Sequence, residues 1–221
     1  MSDVLVPSWR GPARVRALFT TRAIDVPGAA LRERLPADPV WLSQVHGSDV
    51  AEIDAPPAAA PRADAAVTRT PGIVIAVRTA DCLPVLLAHR DASVLAVAHA
   101  GWRGLAAGVL EAAVQAMRAD ARDIAVWIGP AIGAQAFEVG RDVYDAYCVD
   151  DPASAAHFVP CREGKWLADL AGLARHRLAR IGVTSVDGGQ WCTYTDRARF
   201  FSYRRDKGQG RMALAAWLVP G

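Results

Sequence analysis

The sequence predicts an α/β or α+β fold, in which one domain (1–221) forms a sandwich of mixed β-sheets flanked by helices. Short apolar runs in the middle of the chain are typical of strands buried on both faces. Stretches with helical spacing follow them, and the two kinds of element mix without the strict alternation of a parallel sheet. Hydrophobic residues make up 52% of the 221 residues and charged residues 22%, which is sufficient for a large core.

The first part of the chain is predicted to consist mainly of strands and loops. Residues 14–20 and 40–46 alternate apolar and polar side chains, as half-buried strands do. Residues 23–39 contain three prolines and indicate a surface loop with one helical turn. A further strand is expected at 49–53, and the proline- and alanine-rich residues 54–64 indicate a loop.

The remainder is predicted to hold two helices among several strands. An apolar stripe predicts a helix from Leu105 to Met117, and a second is expected from Trp166 to Ile181, ended by Gly182. The predicted strands lie at 73–79, 85–88, 94–99, 125–128, 200–203 and 212–219. The last of these is rich in alanine and leucine, which suit a helix as well.

Composition and charge argue against several classes of protein. The net charge of +2 favours neither a nucleic-acid nor a membrane partner, and no run of 18 apolar residues occurs. We interpret the basic run at 197–211 as a strand with a solvated charged face. The N-terminal residues do not match a signal peptide, and the four cysteines form no C-x-x-C pair. We therefore expect a cytoplasmic protein with free thiols.

Two histidines and one cysteine are candidate metal ligands. His46 and His99 each close a predicted strand, and Cys82 lies in a tight loop between two others. Imidazole and thiolate together suit zinc, and three protein ligands leave one tetrahedral position open, as catalytic zinc requires. From spacing alone, two histidines and a cysteine far apart in the sequence are more often core or loop residues than metal ligands.

Residues near these ligands are candidates for catalysis and substrate binding. Asp81 either caps the turn before Cys82 or acts as a general acid or base. Gly101 and Arg103 lie in a strand-to-helix turn suited to binding an anion such as phosphate. We assign Gln44, Asp81 and Arg103 to catalysis. We assign Gly101, Arg103 and Arg204 to substrate binding.

Several short motifs together resemble one known family. They are 44–47 (QVHG), 79–84 (TADCLP), 99–104 (HAGWRG), 129–133 (GPAIG), 192–193 (CT) and 201–206 (FSYRRD). In this order they are similar to the laccase-domain proteins, also called multicopper polyphenol oxidase-like or YfiH-like. The resemblance implies a fold like that of the cytotoxic necrotizing factor catalytic domain, with one Zn²⁺ held by His46, Cys82 and His99. It also implies a purine nucleoside phosphorylase that uses phosphate with adenosine, inosine, guanosine or methylthioadenosine, and that deaminates adenosine.

Three other hypotheses remain open. In a Cys–His hydrolase or deamidase, Cys82 would be the nucleophile and His99 the base. A copper polyphenol oxidase is disfavoured, because five histidines are too few for a multicopper cluster. A binding module with a structural zinc would need a fourth protein ligand, for which Cys192 is the one plausible residue.

Overall fold

The computed structural model describes residues 2–208 and 210–221. Its strands are β1 (Val4–Leu5), β2 (Val15–Thr20), β3 (Pro39–Trp41), β4 (Val50–Glu52), β5 (Ala65–Thr68), β6 (Val74–Thr79), β7 (Leu83–His89), β8 (Leu95–Ala100), β9 (Ile124–Ile128), β10 (Glu138–Val139), β11 (Phe158–Arg162), β12 (Lys165–Ala168), β13 (Ser185–Gly188) and β14 (Met212–Leu218). Its helices are α1 (Ala29–Arg32), α2 (Trp102–Ala106), α3 (Val109–Met117), α4 (Arg141–Cys148), α5 (Leu170–Arg180) and α6 (Tyr203–Asp206), with 3-10 turns at Ala121–Asp123 and Pro152–His157.

The strands form two large mixed sheets and a small antiparallel one. One large sheet has the order β1-β2-β14-β6-β3, and the other has the order β13-β9-β7-β8-β5-β4. The first contains one parallel pair, β3 with β6, among antiparallel pairs. The second has parallel pairs at both edges and antiparallel pairs in between. Strands β10, β12 and β11 form the small sheet.

The two large sheets pack face to face, and helices cover their outer faces. Phe19 and Ile75 from the first sheet meet Leu86 and Val97 from the second in a shared apolar core. The next residue along β7 points the other way, so Leu87 joins the core beneath α3 and α5. On the far side of the first sheet, α1 closes a third apolar cluster. This arrangement confirms the predicted sandwich of mixed sheets flanked by helices.

The predicted strand at 40–46 ends early, because side chains take up the backbone hydrogen bonds beyond Trp41. The Gln44 amide donates to the Arg78 carbonyl and accepts from the Arg78 N–H, both at 2.8 Å. Asp64 accepts from the backbone N–H groups of residues 45–47. The segment is therefore an anchored loop, although its alternation resembles that of a strand.

Two other predicted elements are of the wrong type in part. The predicted strand at 200–203 is wrong, since Ser202 caps helix α6 by accepting from the Arg205 N–H. The predicted helix at 166–181 begins only at Leu170, where Asp169 caps it. Strand β12 occupies the residues just before, paired with β10 and β11. A short apolar run fits either element, so periodicity could not separate them.

The predicted helix from Leu105 to Met117 is divided in two. Gly108 has φ +93° and separates α2 from α3. The apolar stripe continues across the break, since Leu105, Val109 and Met117 are all buried. No helix in the described ranges has both the length and the apolar character needed to span a bilayer.

Candidate metal centre

The three predicted ligands converge at one end of the sandwich. His46 lies in the anchored loop after β3, Cys82 in the turn from β6 to β7, and His99 near the end of β8. That turn carries the chain from one large sheet to the other, so the ligands come from both sheets. One ligand atom from each residue lies within 4.8 Å of the other two, and the imidazole rings meet edge to face with centroids 4.8 Å apart. Within the described residues, this is the one such group of three.

Asp64 hydrogen-bonds to two of these ligands. The sequence did not identify it as part of the site. Its carboxylate is fully buried and accepts from the His46 N–H at 3.0 Å. It also lies 2.8 Å from Nδ1 of His99. When Nδ1 donates this hydrogen bond, Nε2 of His99 carries a free lone pair for a metal. Asp64 follows the loop at 54–64 without any local pattern that marks it as part of the site.

Burial and hydrogen bonding act in opposite directions on the pKa values of this group. Burial raises the pKa of Asp64, but hydrogen bonds from His99, Gly47 and Val45 outweigh it and lower that pKa to about 2. Burial also raises the pKa of Cys82, while His46 and His99 lower it to about 7. Burial lowers the pKa of His99, yet Asp64 and Cys82 raise it to about 9. The site therefore favours a thiolate at Cys82, the form that binds metals.

Two glycines allow the loops to approach each other closely. A Cβ at Gly101 would lie 2.9 Å from Sγ of Cys82 and 3.0 Å from Cδ2 of His46. A Cβ at Gly104 would lie 2.7 Å from the Gly47 carbonyl oxygen. Gly101, which the sequence assigned to substrate binding, thus packs directly against two of the candidate metal ligands.

Asp81 fixes the position of a neighbouring loop. Its carboxylate accepts from the Thr193 hydroxyl at 2.6 Å, the Ser202 hydroxyl at 3.0 Å and the Arg204 N–H at 2.7 Å. The residue is buried and has φ +85°, in the left-handed region. All three donors belong to segments far along the chain, so Asp81 joins the turn before Cys82 to the start of α6. These contacts favour a positioning role over proton transfer.

A cavity of about 560 Å³ opens over the three ligands. Its remaining lining residues are Gln44, Arg78, Thr79, Ala80, Tyr203 and Arg211. Gln44, assigned to catalysis from the sequence, is therefore close to the candidate ligands, and its amide is bonded to the backbone of β6. Arg103 does not line the cavity; it is exposed, with its guanidinium 4.4 Å from the centre of the Trp102 ring. Arg204 is also exposed and donates to the Glu138 carbonyl at 3.1 Å.

Cys192 lies apart from the metal group. It lines a separate cavity of about 330 Å³, and its sulfur accepts from the Gly133 N–H at 3.2 Å. In the described part of the chain, the group with converging ligand atoms does not include Cys192. The structural-zinc hypothesis therefore lacks the fourth ligand that it required.

Comparisons with known proteins agree with this fold. A solved structure of a Neisseria meningitidis protein superposes with a TM-score of 0.95 at 40% identity, covering 99% of this chain and 100% of that one. The chain is 46% identical to the purine nucleoside phosphorylase YfiH of Escherichia coli (strain K12), with coverage of 99% and 100%. It is 44% identical to a protein of Pseudomonas aeruginosa that carries the same enzyme name, with 99% of both covered.

Fold and site together define a class of protein: sandwiches of mixed sheets with a His–Cys–His group at one end. The family model described as "Multi-copper polyphenol oxidoreductase laccase" matches residues 27–219. The chain belongs to this laccase-like, YfiH-type family.

Proposed function

We propose that this chain is a zinc-dependent purine nucleoside phosphorylase acting on adenosine, inosine, guanosine or methylthioadenosine. The observation that carries the proposal is the His46–Cys82–His99 group at a cavity of about 560 Å³, a size typical of small-molecule sites. Similarity over the full length to proteins named purine nucleoside phosphorylases supports the choice of reaction. The free cysteines suit a reducing compartment, so we place the protein in the cytoplasm.

The donor set fits zinc better than a multicopper cluster. Two imidazoles and one thiolate are the nitrogen and sulfur ligands that zinc prefers. Only His46 and His99 belong to the group, while His89 contacts Asp91 and His176 contacts Asp151. A zinc ion held by these ligands supplies a Lewis acid beside the bound substrate.

The proposed reaction transfers a ribosyl group to phosphate. An oxygen of HPO₄²⁻ forms a bond to C1′ of the ribose, and the bond from C1′ to N9 of the purine breaks. The electron pair of that bond remains on the purine, which takes up the proton released by phosphate. The products are ribose 1-phosphate and the free base, so atoms and charge balance.

The surrounding residues hold this site in shape. Asp64 orients His99, and Gln44 anchors the loop that carries His46. Gly101 leaves room for the ligands, and Asp81 fixes the segment that leads into α6. The roles assigned to Arg103 and Arg204 stay predictions, and neither residue lines the cavity.

We extend the proposal to deamination of adenosine at the same site. Water adds its oxygen at C6 of the purine and the amino group leaves as ammonia, giving inosine. This reaction consumes no phosphate. Formation of inosine from adenosine in phosphate-free buffer tests it separately from phosphorolysis.

A Cys–His hydrolase is a second candidate because Cys82, His99 and Asp64 form a connected series. One ligand atom of Cys82 lies within 4.8 Å of one on His99, and Nδ1 of His99 lies 2.8 Å from Asp64. In a deamidase, the Cys82 sulfur would bond to an amide carbonyl carbon, ammonia would leave, and water would release the acid. A thiolate bound to zinc is not free for this step, so metal dependence separates the two candidates.

The deciding experiment measures metal content and phosphorolysis on the same preparation. Mass spectrometry should find about one zinc per chain, and chromatography should detect free base from inosine only when phosphate is present. Cys82→Ala should lose both the metal and the activity. Cys161→Ala is the matched control, because Cys161 is exposed and lies outside the site. A metal-free protein that still acts on amides would contradict the proposal and support the hydrolase.

A further inference from the structure

We propose that Arg78 and Arg211 bind the inorganic phosphate on the wall of the metal cavity. This inference rests on the proposed phosphorylase function and identifies the residues that hold its second substrate. The sequence directed attention to Arg103 and Arg204 instead. Neither of those two residues lines the cavity, whereas Arg78 and Arg211 do.

Arg78 is a half-buried cation without a carboxylate partner. It lies in β6 next to Thr79, and its backbone is fixed by the Gln44 amide. Among the described residues its guanidinium makes no ion pair, and its central carbon lies 5.9 Å from the centre of the Trp41 ring. Its positive charge therefore has no carboxylate partner among the described residues, and the residue lines the cavity.

Arg211, just before β14, is likewise half-buried. Its Nη1 donates to the Gly210 carbonyl at 2.7 Å, and its guanidinium lies 5.7 Å from the centre of the Tyr203 ring. It too has no carboxylate partner in residues 2–208 and 210–221. Strand pairing places Ala213 opposite Arg78, and Arg211 precedes Ala213 by two residues, immediately before the first residue of β14. Both arginines therefore lie at the same end of the β6–β14 pair, and both line the cavity.

The charge of the cavity matches phosphate and not the nucleoside. Among the described residues, the lining includes two arginines and no Asp or Glu. Purine nucleosides are uncharged at neutral pH, so phosphate is the one anionic reactant of the proposed reaction. The planar guanidinium group binds phosphate through paired N–H donors. The two arginines beside the metal ligands therefore suit the phosphate, which must approach C1′ of the bound ribose.

The test uses the zinc-loaded protein and inorganic phosphate. Arg78→Met and Arg211→Met remove the charge while keeping a long side chain. Calorimetry should show phosphate Kd raised about 10- to 100-fold in each, the range expected for losing charge-assisted hydrogen bonds. The KM for phosphate should rise in parallel, while the KM for inosine should change much less. Arg78→Lys should retain part of the affinity for phosphate, because lysine keeps the positive charge but lacks the paired N–H donors of the guanidinium group.

Arg16→Met is the matched control, since Arg16 is exposed on β2 and does not line the cavity. Zinc content and unfolding temperature report whether each variant keeps its fold. If the wild-type enzyme is active and both variants bind phosphate normally, this inference is wrong and the proposed function stands. If the wild-type enzyme binds no phosphate and releases no base, the proposed function fails, and this inference fails with it.

Discussion

The Asp64 carboxylate contacts two of the three candidate metal ligands, His46 and His99, and this makes its substitution informative. It accepts backbone N–H groups of the His46 loop and hydrogen-bonds to Nδ1 of His99. Asp64→Asn keeps the size of the side chain. It leaves one oxygen atom that can accept hydrogen bonds, where the carboxylate has two. Loss of such supporting contacts typically lowers metal affinity 10- to 100-fold. We expect that loss in a competition assay between the protein and a zinc chelator.

Asp49→Asn provides the control for this prediction. Asp49 is exposed and faces Arg62 at 3.9 Å, so its substitution should leave zinc affinity unchanged. Equal zinc affinity in Asp64→Asn and the wild-type protein would contradict the role assigned to Asp64.

Asp81 offers a second prediction, which separates positioning from proton transfer. Two of its three donors are hydroxyl groups, and a hydroxyl can donate or accept. Asn can therefore replace Asp81 with most contacts kept, whereas Ala removes them all. We expect Asp81→Asn to retain the kcat and the pH–rate profile of the wild-type enzyme, and Asp81→Ala to raise the KM for the nucleoside. A general acid or base would instead be lost in both variants, and an inactive Asp81→Asn with normal zinc content would reveal it.

At this scale, the sequence predicted the residues with distinctive chemistry and missed those that act through position. His46, Cys82 and His99 could be found because their side chains suggest a metal and their motifs resemble a family. Asp64 could not be found, because its contacts depend on how the loop at 45–47 folds over it. Arg78 lies in a strand pattern like any other, and only the sheet pairing places it at the same end of the β6–β14 pair as Arg211.

At the scale of elements, Gly108 divides what would otherwise be one helix. Its φ of +93° is costly for any residue with a Cβ, while a Cβ there would meet no atom closer than 3.7 Å. The cost of Gly108→Ala is therefore conformational and amounts to about 1–2 kcal/mol. For a chain of this size, Tm should fall by roughly 2–8 °C. The Tm of Gly108→Asn should fall less than that of Gly108→Ala, since Asn tolerates the left-handed region better.

Calorimetric scans of the three proteins at constant zinc concentration check this order. An unchanged Tm in Gly108→Ala would mean that α2 and α3 can merge into one helix. The apolar stripe at Leu105, Val109 and Met117 is compatible with such a helix, which is why the sequence predicted one. The break depends on a single backbone angle, and periodicity does not report it.

Errors elsewhere among the elements have a related cause. The alternating pattern at 40–46 and the apolar run at 166–168 were interpreted from side chains alone. The outcome depends on which groups satisfy the backbone: the Gln44 amide and Asp64 in the first case, and strands β10 and β11 in the second. The long buried runs at 73–79, 85–88 and 94–99 were predicted well, because burial on both faces leaves little choice.

At the scale of the molecule, the metal group links the two large sheets. His99 belongs to the six-stranded sheet, His46 follows the edge strand of the other, and Cys82 lies in the turn between them. Unfolding must separate these segments, so a bound metal stabilises the folded chain through mass action. With free zinc at 1,000 times its Kd, the gain is about 4 kcal/mol. At roughly 2–4 °C per kcal/mol for a chain of this length, Tm should rise by about 8–16 °C over the chelated protein.

The same scan on Cys82→Ala tests whether the three ligands are the cause. This variant should melt near the Tm of the chelated wild-type protein, and added zinc should shift it little. Cys148→Ala is the control outside the group and should respond to zinc as the wild-type protein does. A wild-type Tm that ignores both zinc and chelator would mean that the group holds no stabilising metal. The stabilisation must come from binding to the folded state, because the three ligands are 36 and 17 residues apart along the chain and meet only when the two sheets pack.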